Sequence, residues 1–537
     1  MNKGILCVLV VLCFVLTADA QIVVKRAVLD GNNISSYFQN TGIFDQNTTS
    51  GNMAGFEWPK GTNRTANFTA GLCMAAFVHD SIRNAMASYK GEYAPGCVKN
   101  NLFFTDSTFV IYKVSKGDNA YTNPYWMNWG RMVPYGAPYI DANNNGIYDP
   151  MIDTPGVRNA KQTIFMCLTD ANPSSHSPGE GIGGGTLPMF AEMHLTAWCY
   201  DTLPLSDVQF MKWEIVNKGT YAWNKCMTGF FLDPDLGDAN DDYSACDTSL
   251  NMLICYNSTN QDGNGNPPSY GANPPAFGFK YLRSALNRSV EPNKYLGLTS
   301  YVSLYQGGAP YCIYNNAYSY EAYRLLAGFK KDSSSVWDPT YSPYRKTKFC
   351  FPGDPETNTG WTNTKGYLYG CADSNFTLYN NGNDVRCVIG SGASDFNVNV
   401  GETQTIVAAQ MIARGNSYLN SVTKVKDLAA YVQNYYDDNF HEIIPPNPVP
   451  LKYSLYQNFP NPFNATTSIY FDVSQTASVK IVVYDAAGKR IQTLVDGTHP
   501  AGNFHYTFDG SGFPSGVYFY SLYINGDKET KRMILIK

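Results

Sequence analysis

The chain has 537 residues, of which 44% are hydrophobic, 15% charged and 14% aromatic, with a formal net charge of −5. That balance excludes an intrinsically disordered chain and a long solvated helical protein, both of which carry more charge and less apolar bulk. Mild acidity without any basic run excludes the electrostatic footprint of a nucleic-acid-binding or anionic-membrane protein. The 40 Tyr and 29 Phe, set among 46 Gly and 30 Pro, point to short strands joined by tight turns, an all-β architecture.

The first twenty residues read as an export signal. Lys3 gives a positive start, residues 5–16 are an unbroken apolar run, and Ala18-Asp19-Ala20 is an A-x-A cleavage pattern before Gln21. The run is too short to span a bilayer, so residues 1–20 are expected to be a cleaved signal peptide and the mature chain to have no transmembrane segment. Export makes disulfides possible. Cys7 and Cys13 leave with the signal and eleven cysteines remain, without a C-x-x-C spacing. An odd number leaves at least one thiol unpaired in a monomer.

Residues 21–442 are expected to form a large β-sandwich-rich region. Residues 71–89 read as a hairpin turning at His79-Asp80-Ser81, 208–217 as an alternating strand ending at Lys218-Gly219, and 403–413 as another strand. Between the first two lies the best candidate site, Asp141-Ala142-Asn143-Asn144-Asn145-Gly146-Ile147-Tyr148-Asp149. Its oxygen-bearing side chains fall at loop positions 1, 3, 5 and 9, Gly146 falls at the sharp turn, and Ile147 offers a carbonyl, the D-x-[DN]-x-[DN]-G pattern of calcium loops. Calcium is a hard ion that takes six to eight oxygens, which alternating short Asp and Asn side chains supply. Position 12 is Ile152 where an EF-hand has Glu, and Asp153 stands one residue further on. We therefore expect a calcium loop flanked by strands or turns, closed by Asp153, outside any EF-hand fold.

A second acidic stretch follows a strand at 228–232. Asp233, Asp235, Asp238, Asp241, Asp242 and Asp247 repel one another unless solvated or bridged by a cation. The first five are weaker metal candidates, because no fixed ligand spacing supports them. Gly179-Glu180-Gly181-Ile182-Gly183-Gly184 matches G-x-G-x-x-G formally, but it lacks a strand-turn-helix setting and reads as a loop. His194 reads as a packed side chain, no histidines have metal-ligand spacing, and there is no G-x-S-x-G elbow. No catalytic residue is assigned and a non-enzymatic protein is expected.

Val422, Val425, Leu428, Ala429, Val432 and Tyr435 follow helical spacing, with Asn420 or Ser421 as the cap. Residues 443–452, rich in proline, read as an extended linker. The segment 453–537 then reads as a small β-sandwich of about seven strands, six of them at 467–473, 478–484, 490–495, 504–508, 516–523 and 530–536, with a turn at Ala486-Ala487-Gly488.

Four stretches of this segment carry a resemblance: Tyr456-Gln457-Asn458-Phe459-Pro460-Asn461-Pro462-Phe463-Asn464, Val483-Tyr484-Asp485-Ala486-Ala487-Gly488, Ser515-Gly516-Val517-Tyr518-Phe519-Tyr520 and Lys531-Arg532-Met533-Ile534-Leu535-Ile536-Lys537. In order and spacing they resemble the type A C-terminal sorting domain of type IX secretion substrates. The resemblance implies an immunoglobulin-like sandwich, the type IX secretion machinery as partner, and delivery to the outer-membrane surface or the medium. The region upstream is similar to cargo regions of secreted Bacteroidetes and Ignavibacteria-like proteins, through Gly55-Phe56-Glu57-Trp58-Pro59-Lys60-Gly61, Asp233-Pro234-Asp235-Leu236-Gly237-Asp238-Ala239 and Asn416-Ser417-Tyr418-Leu419-Asn420-Ser421-Val422.

The expected protein is thus a secreted, calcium-stabilised structural or adhesive protein, self-assembling through its surface. Tyrosine clusters such as Tyr311-Cys312-Ile313-Tyr314 and Tyr318-Ser319-Tyr320-Glu321-Ala322-Tyr323 also suit stacking on extracellular glycans, the second reading. A secreted hydrolase is the third.

Overall fold

A computed structural model describes residues 23–49, 53–177, 181–290, 292–305, 309–314, 317–372, 377–379, 384–440, 453–458, 461–474, 476–499 and 502–537. The signal-peptide and proline-rich linker readings lie outside the described residues, as do Gly179 and Glu180. The chain divides into two compact units, residues 1–400 with 404–430, and residues 401–403 with 431–537.

The first unit is built on two large antiparallel sheets, as the aromatic and turn-rich composition leads one to expect. One sheet runs in the order Ser300–Tyr305, Val385–Gly392, Trp223–Asp233, Thr69–Val78, Ile43–Phe44, Ser35–Gln39, Phe56–Glu57, Thr65–Asn67. The other runs Ala94–Pro95, Gln162–Thr169, Ala191–Cys199, Val208–Asn217, Thr403–Ala413, Ala276–Arg283, Met252–Asn257, Asp242–Asp247. The expected hairpin is present, with Val78 paired to Ser81 across His79-Asp80. His79 adopts a left-handed φ of 55° to make that turn.

Strand alternation decides what each side chain meets. In Gln162–Thr169, Ile164, Met166 and Leu168 enter the main core, whereas Phe165 and Cys167 face a separate cluster with Tyr112, Trp129 and Met132. The second sheet is therefore buried on both faces, which explains why its strands are nearly continuous in burial. The two sheets meet through an aromatic layer. Phe230 of the first sheet lies 4.9 Å from Trp213, 4.7 Å from Phe279 and 5.6 Å from Tyr281 of the second, ring centre to ring centre. Beside this layer runs a polar seam: the Gln410 amide donates to Asp45 Oδ1 at 3.1 Å and to Gln209 Oε1 at 3.0 Å, and Asn67 donates to Asp45 Oδ2 at 2.9 Å. Complete burial outweighs these donors and Ser36, and pushes the Asp45 carboxyl up to about 6.

The late helix spans Tyr418–Asn439, longer than its apolar periodicity. Its cap is neither Asn420 nor Ser421 but Ser417, whose hydroxyl accepts from the Asn420 backbone N–H at 3.1 Å, the third residue of the helix. Asn420 instead reaches back to accept from the Asn416 N–H at 3.1 Å. Val422, Val425 and Ala429 are buried, and a Cβ placed on Gly278 would come within 3.1 Å of Val425, so the helix lies directly on the strand Ala276–Arg283. Cys312 and Cys371 form a disulfide across 59 residues, and the other nine described cysteines are buried thiols.

From residue 453 the second unit is a seven-stranded sandwich among the described residues. Ser454–Leu455, Thr466–Val473 and Gly502–Asp509 form one sheet, and Arg490–His499, Ala477–Tyr484, Gly516–Ile524 and Asp527–Leu535 form the other. Ile469, Phe471, Val479, Ile481, Val483 and Met533 are wholly buried, as their alternation predicts. Tyr520 pins the entry: its hydroxyl accepts from the Asn458 N–H and donates to the Tyr456 carbonyl, both at 2.7 Å. The turn after Ala477–Tyr484 needs Gly488 at φ +78°, and Asp485 Oδ1 accepts from the Lys489 N–H at 2.9 Å to close it.

Candidate functional site

From the segment 97–139, Tyr112–Ser115 pairs with Gln162–Thr169, and Phe109, Trp129 and Met132 pack with Phe165 and Cys167 on the outer face of the second sheet; the predicted calcium loop follows this segment. Tyr139–Ile140 pairs with Thr154–Pro155, so the loop closes a two-residue ribbon. Its flanks are strands, as expected, and no EF-hand helix pair surrounds it. Tyr148 anchors the loop, donating from its hydroxyl to the Trp126 carbonyl at 2.8 Å and packing edge-on to Tyr139 at 5.4 Å.

Within the loop the predicted oxygens accept backbone N–H groups. Asp141 accepts from Asn145 at 3.2 Å and from Gly146 at 2.7 Å, and Asn143 and Asn145 accept from the N–H groups two residues on. Asn144 and Gly146 take left-handed φ values of 56° and 73°, which give the sharp turn. Asp153 is buried and binds the two ends of the loop, accepting from Ala142 at 2.9 Å and from Asp149 at 2.7 Å. Asp149 is half-buried and Ile147 is exposed, with its side chain outward. Each carboxylate oxygen that accepts one N–H keeps a second lone pair, so the set retains its capacity for a hard cation.

The acidic stretch separates into two groups. Asp233 and Asp235 join Asp384, with one oxygen from each within 4.8 Å of the others. The Arg386 guanidinium reaches into this group, 3.2 Å from Asp233 and in contact with Asp384, and Tyr89 donates to Asp233 at 2.6 Å. Burial, then Asp233 and Asp384, drive the Asp235 carboxyl well above the carboxylate range. Asp384 and Arg386 were not legible as partners, since they lie some 150 positions along the chain and arrive only through the pairing of Leu232 with Cys387. Asp238, Asp241 and Asp242 form the other group, with Asp262 and Asn257. The Asp238 N–H donates to Asp262 at 2.9 Å, and Asn257 donates to Asp241 at 3.4 Å. Asp247 stands apart, paired with Lys426 at 2.8 Å.

The remaining sequence readings also have places. Gly181, Gly183 and Gly184 lie in a loop with positive φ, and Ile182 bridges to Ala317, so this run has no dinucleotide-binding turn. His194 is packed, 3.2 Å from Glu192 and edge-on to Tyr135. Tyr311, Tyr314, Tyr318 and Tyr320 are exposed, whereas Tyr323 packs on Phe77.

Residues 457–537 match the secretion system C-terminal sorting domain, over the sandwich described above. No curated protein matches the chain. Among solved structures, the chain is similar to dimeric latent PorU from Porphyromonas gingivalis at 10% identity and a TM-score of 0.14, over 70% of this chain and 31% of that one. It is also similar to PorZ of the same organism, an essential bacterial surface component of the type IX secretion system, at 11% identity and a TM-score of 0.13. That alignment covers 96% of this chain and 58% of PorZ, so the chain spans about a third and just over half of these two proteins.

Proposed function

Proceeding from a chain that carries a type IX sorting domain and is exported to the cell surface or the extracellular space, we propose that it is a calcium-stabilised structural or adhesive protein that acts without catalysis and associates with its own copies. The observation that carries this reading is the Asp141–Asp153 loop. Its Asp141, Asn143 and Asn145 side chains follow the ligand spacing and fold the turn by accepting backbone N–H groups, and Asp153 ties both ends. Extracellular loops of this type hold calcium at roughly 0.1–1 mM and stiffen the strands they connect. The exposed tyrosines at 311–320 supply large, rigid, amphipathic contact area of the kind enriched at protein interfaces. Light scattering and electron microscopy of the mature protein, with calcium and with chelator, test the proposal. Calcium-dependent oligomers are expected; a monomer under both conditions overturns it.

The same tyrosines favour glycan binding as a second reading. Tyr311 and Tyr320 are 62% and 59% exposed, an aromatic surface suited to sugar stacking, and the buried Lys331 ammonium lies 4.2 Å from the centre of the Tyr311 ring beneath it. Retention on polysaccharide columns that falls in Tyr311→Ala and Tyr320→Ala, with unchanged thermal stability, would support it; equal elution of variants and parent would not.

A further inference from the structure

We propose a second divalent-cation site, separate from the Asp141–Asp153 loop, formed by Asp241, Asp242 and Asn257, with Asp262 and Asp235 adding negative charge around it. Asp242 and Asn257 are directly opposite each other on paired strands, which puts their Cβ atoms about 5 Å apart on one face. Both residues are wholly buried. Asp242 Oδ2 accepts from the Leu236 N–H at 2.9 Å, but Oδ1 has no hydrogen-bond partner among the described residues. Asn257 Oδ1 and Asp241 Oδ1 are likewise buried without a partner, and Asn257 Nδ2 lies 3.4 Å from Asp241 Oδ2. Three buried acceptor oxygens without partners thus belong to two residues paired across one ladder and to a third whose carboxylate the Asn257 amide touches.

Buried acceptors without donors are costly, and buried carboxylates without a counter-charge are costlier. Arg414 offsets part of the Asp262 charge, but the charges acting on Asp241 and Asp242 themselves are one-sided. Asp242 feels Asp235, Asp241 and Asp262 as repulsive neighbours, and Asp241 feels Asp262 and Asp238. The Arg386 guanidinium is engaged by Asp233 and Asp384. A hard cation taking oxygen ligands satisfies the three acceptors and cancels the repulsion in one step. The backbone supports the arrangement, because Gly237 at φ +76° lets the Asp262 carboxylate lie against it, where a Cβ would come within 1.9 Å of Asp262 Oδ2. The chief competitor is a proton on Asp242 shared with Asn257.

The test counts terbium ions bound per chain by tyrosine-sensitised luminescence of the mature protein, with calcium competition. Asp141→Ala removes the loop site, and in that background one site is expected to remain and to disappear with Asp242→Asn. Asparagine mimics a protonated aspartate, so binding unchanged by Asp242→Asn overturns the site and assigns the proton instead. Absence of any terbium site in Asp141→Ala also overturns it while leaving the loop reading intact. Asp241→Asn, at a half-buried position, is the second variant, with circular dichroism confirming the fold: affinity at least tenfold weaker is expected, and unchanged affinity counts against the site.

Discussion

Asp141→Ala is the sharpest perturbation of the proposed calcium loop. In the parent, Asp141 accepts two backbone N–H groups, from Asn145 and Gly146, and is the first ligand position of the proposed calcium site. Losing two exposed hydrogen bonds costs about 1–2 kcal/mol without metal. With a dissociation constant of about 0.1 mM, calcium at about 10 mM adds about 2.7 kcal/mol to the parent by mass action. An unfolding entropy of about 2 cal/mol/K per residue, over a unit of about 400 residues, converts that to about 3 °C. Differential scanning fluorimetry with calcium and with chelator measures it. The calcium-induced rise in Tm is predicted to be about 3 °C smaller in the variant than in the parent. An equal rise in both would refute the assignment of Asp141, and no rise in the parent would refute the loop as a calcium site.

Other outcomes follow from the first unit. Reduction, or Cys312→Ser with Cys371→Ser, releases a 59-residue span; the chain-entropy relation gives a loss of about 4 kcal/mol, or about 5 °C in Tm, and an unchanged melting curve would contradict the bridge. Phe230→Ala empties the aromatic layer between the sheets and should cost about 3–5 kcal/mol in chemical denaturation, where a loss below about 1 kcal/mol would show that the layer is misplaced. Asp45 holds its proton more tightly when folded, up to about 6. Its contribution is therefore full below about pH 4 and lost as pH rises to about 6, a decline of about 3 kcal/mol. Comparison of denaturation across pH 4–7 should find that Asp45→Asn lacks this decline relative to the parent; parallel profiles would contradict the complete burial of the Asp45 carboxyl.

The sandwich at 453–537 was legible nearly strand for strand because one face of each strand is solvated, so apolar and polar residues alternate visibly from Thr467 to Val473 and from Ser478 to Tyr484. The strands Gln162–Thr169 and Ala191–Cys199 are buried on both faces, and burial erases alternation. The turn of the Asp141–Asp153 loop was legible because its hydrogen bonds are local. The acidic stretch was not divisible from sequence. Asp384 and Arg386 reach Asp233 through strand pairing, and Asn257 reaches Asp242 in the same way. The helix cap was misplaced by three or four positions because the apolar period starts at Val422, a full turn after Ser417 stops the preceding loop.

Delivery to the exterior by the C-terminal sandwich underlies the whole account. Fractionation of a type IX-competent host that expresses either the full chain or a chain ending at Pro450 tests it. The full chain should appear on the outer surface or in the medium, and the shortened chain should accumulate in the periplasm. Equal recovery of both outside the cell would contradict the assignment of residues 457–537 as the export address.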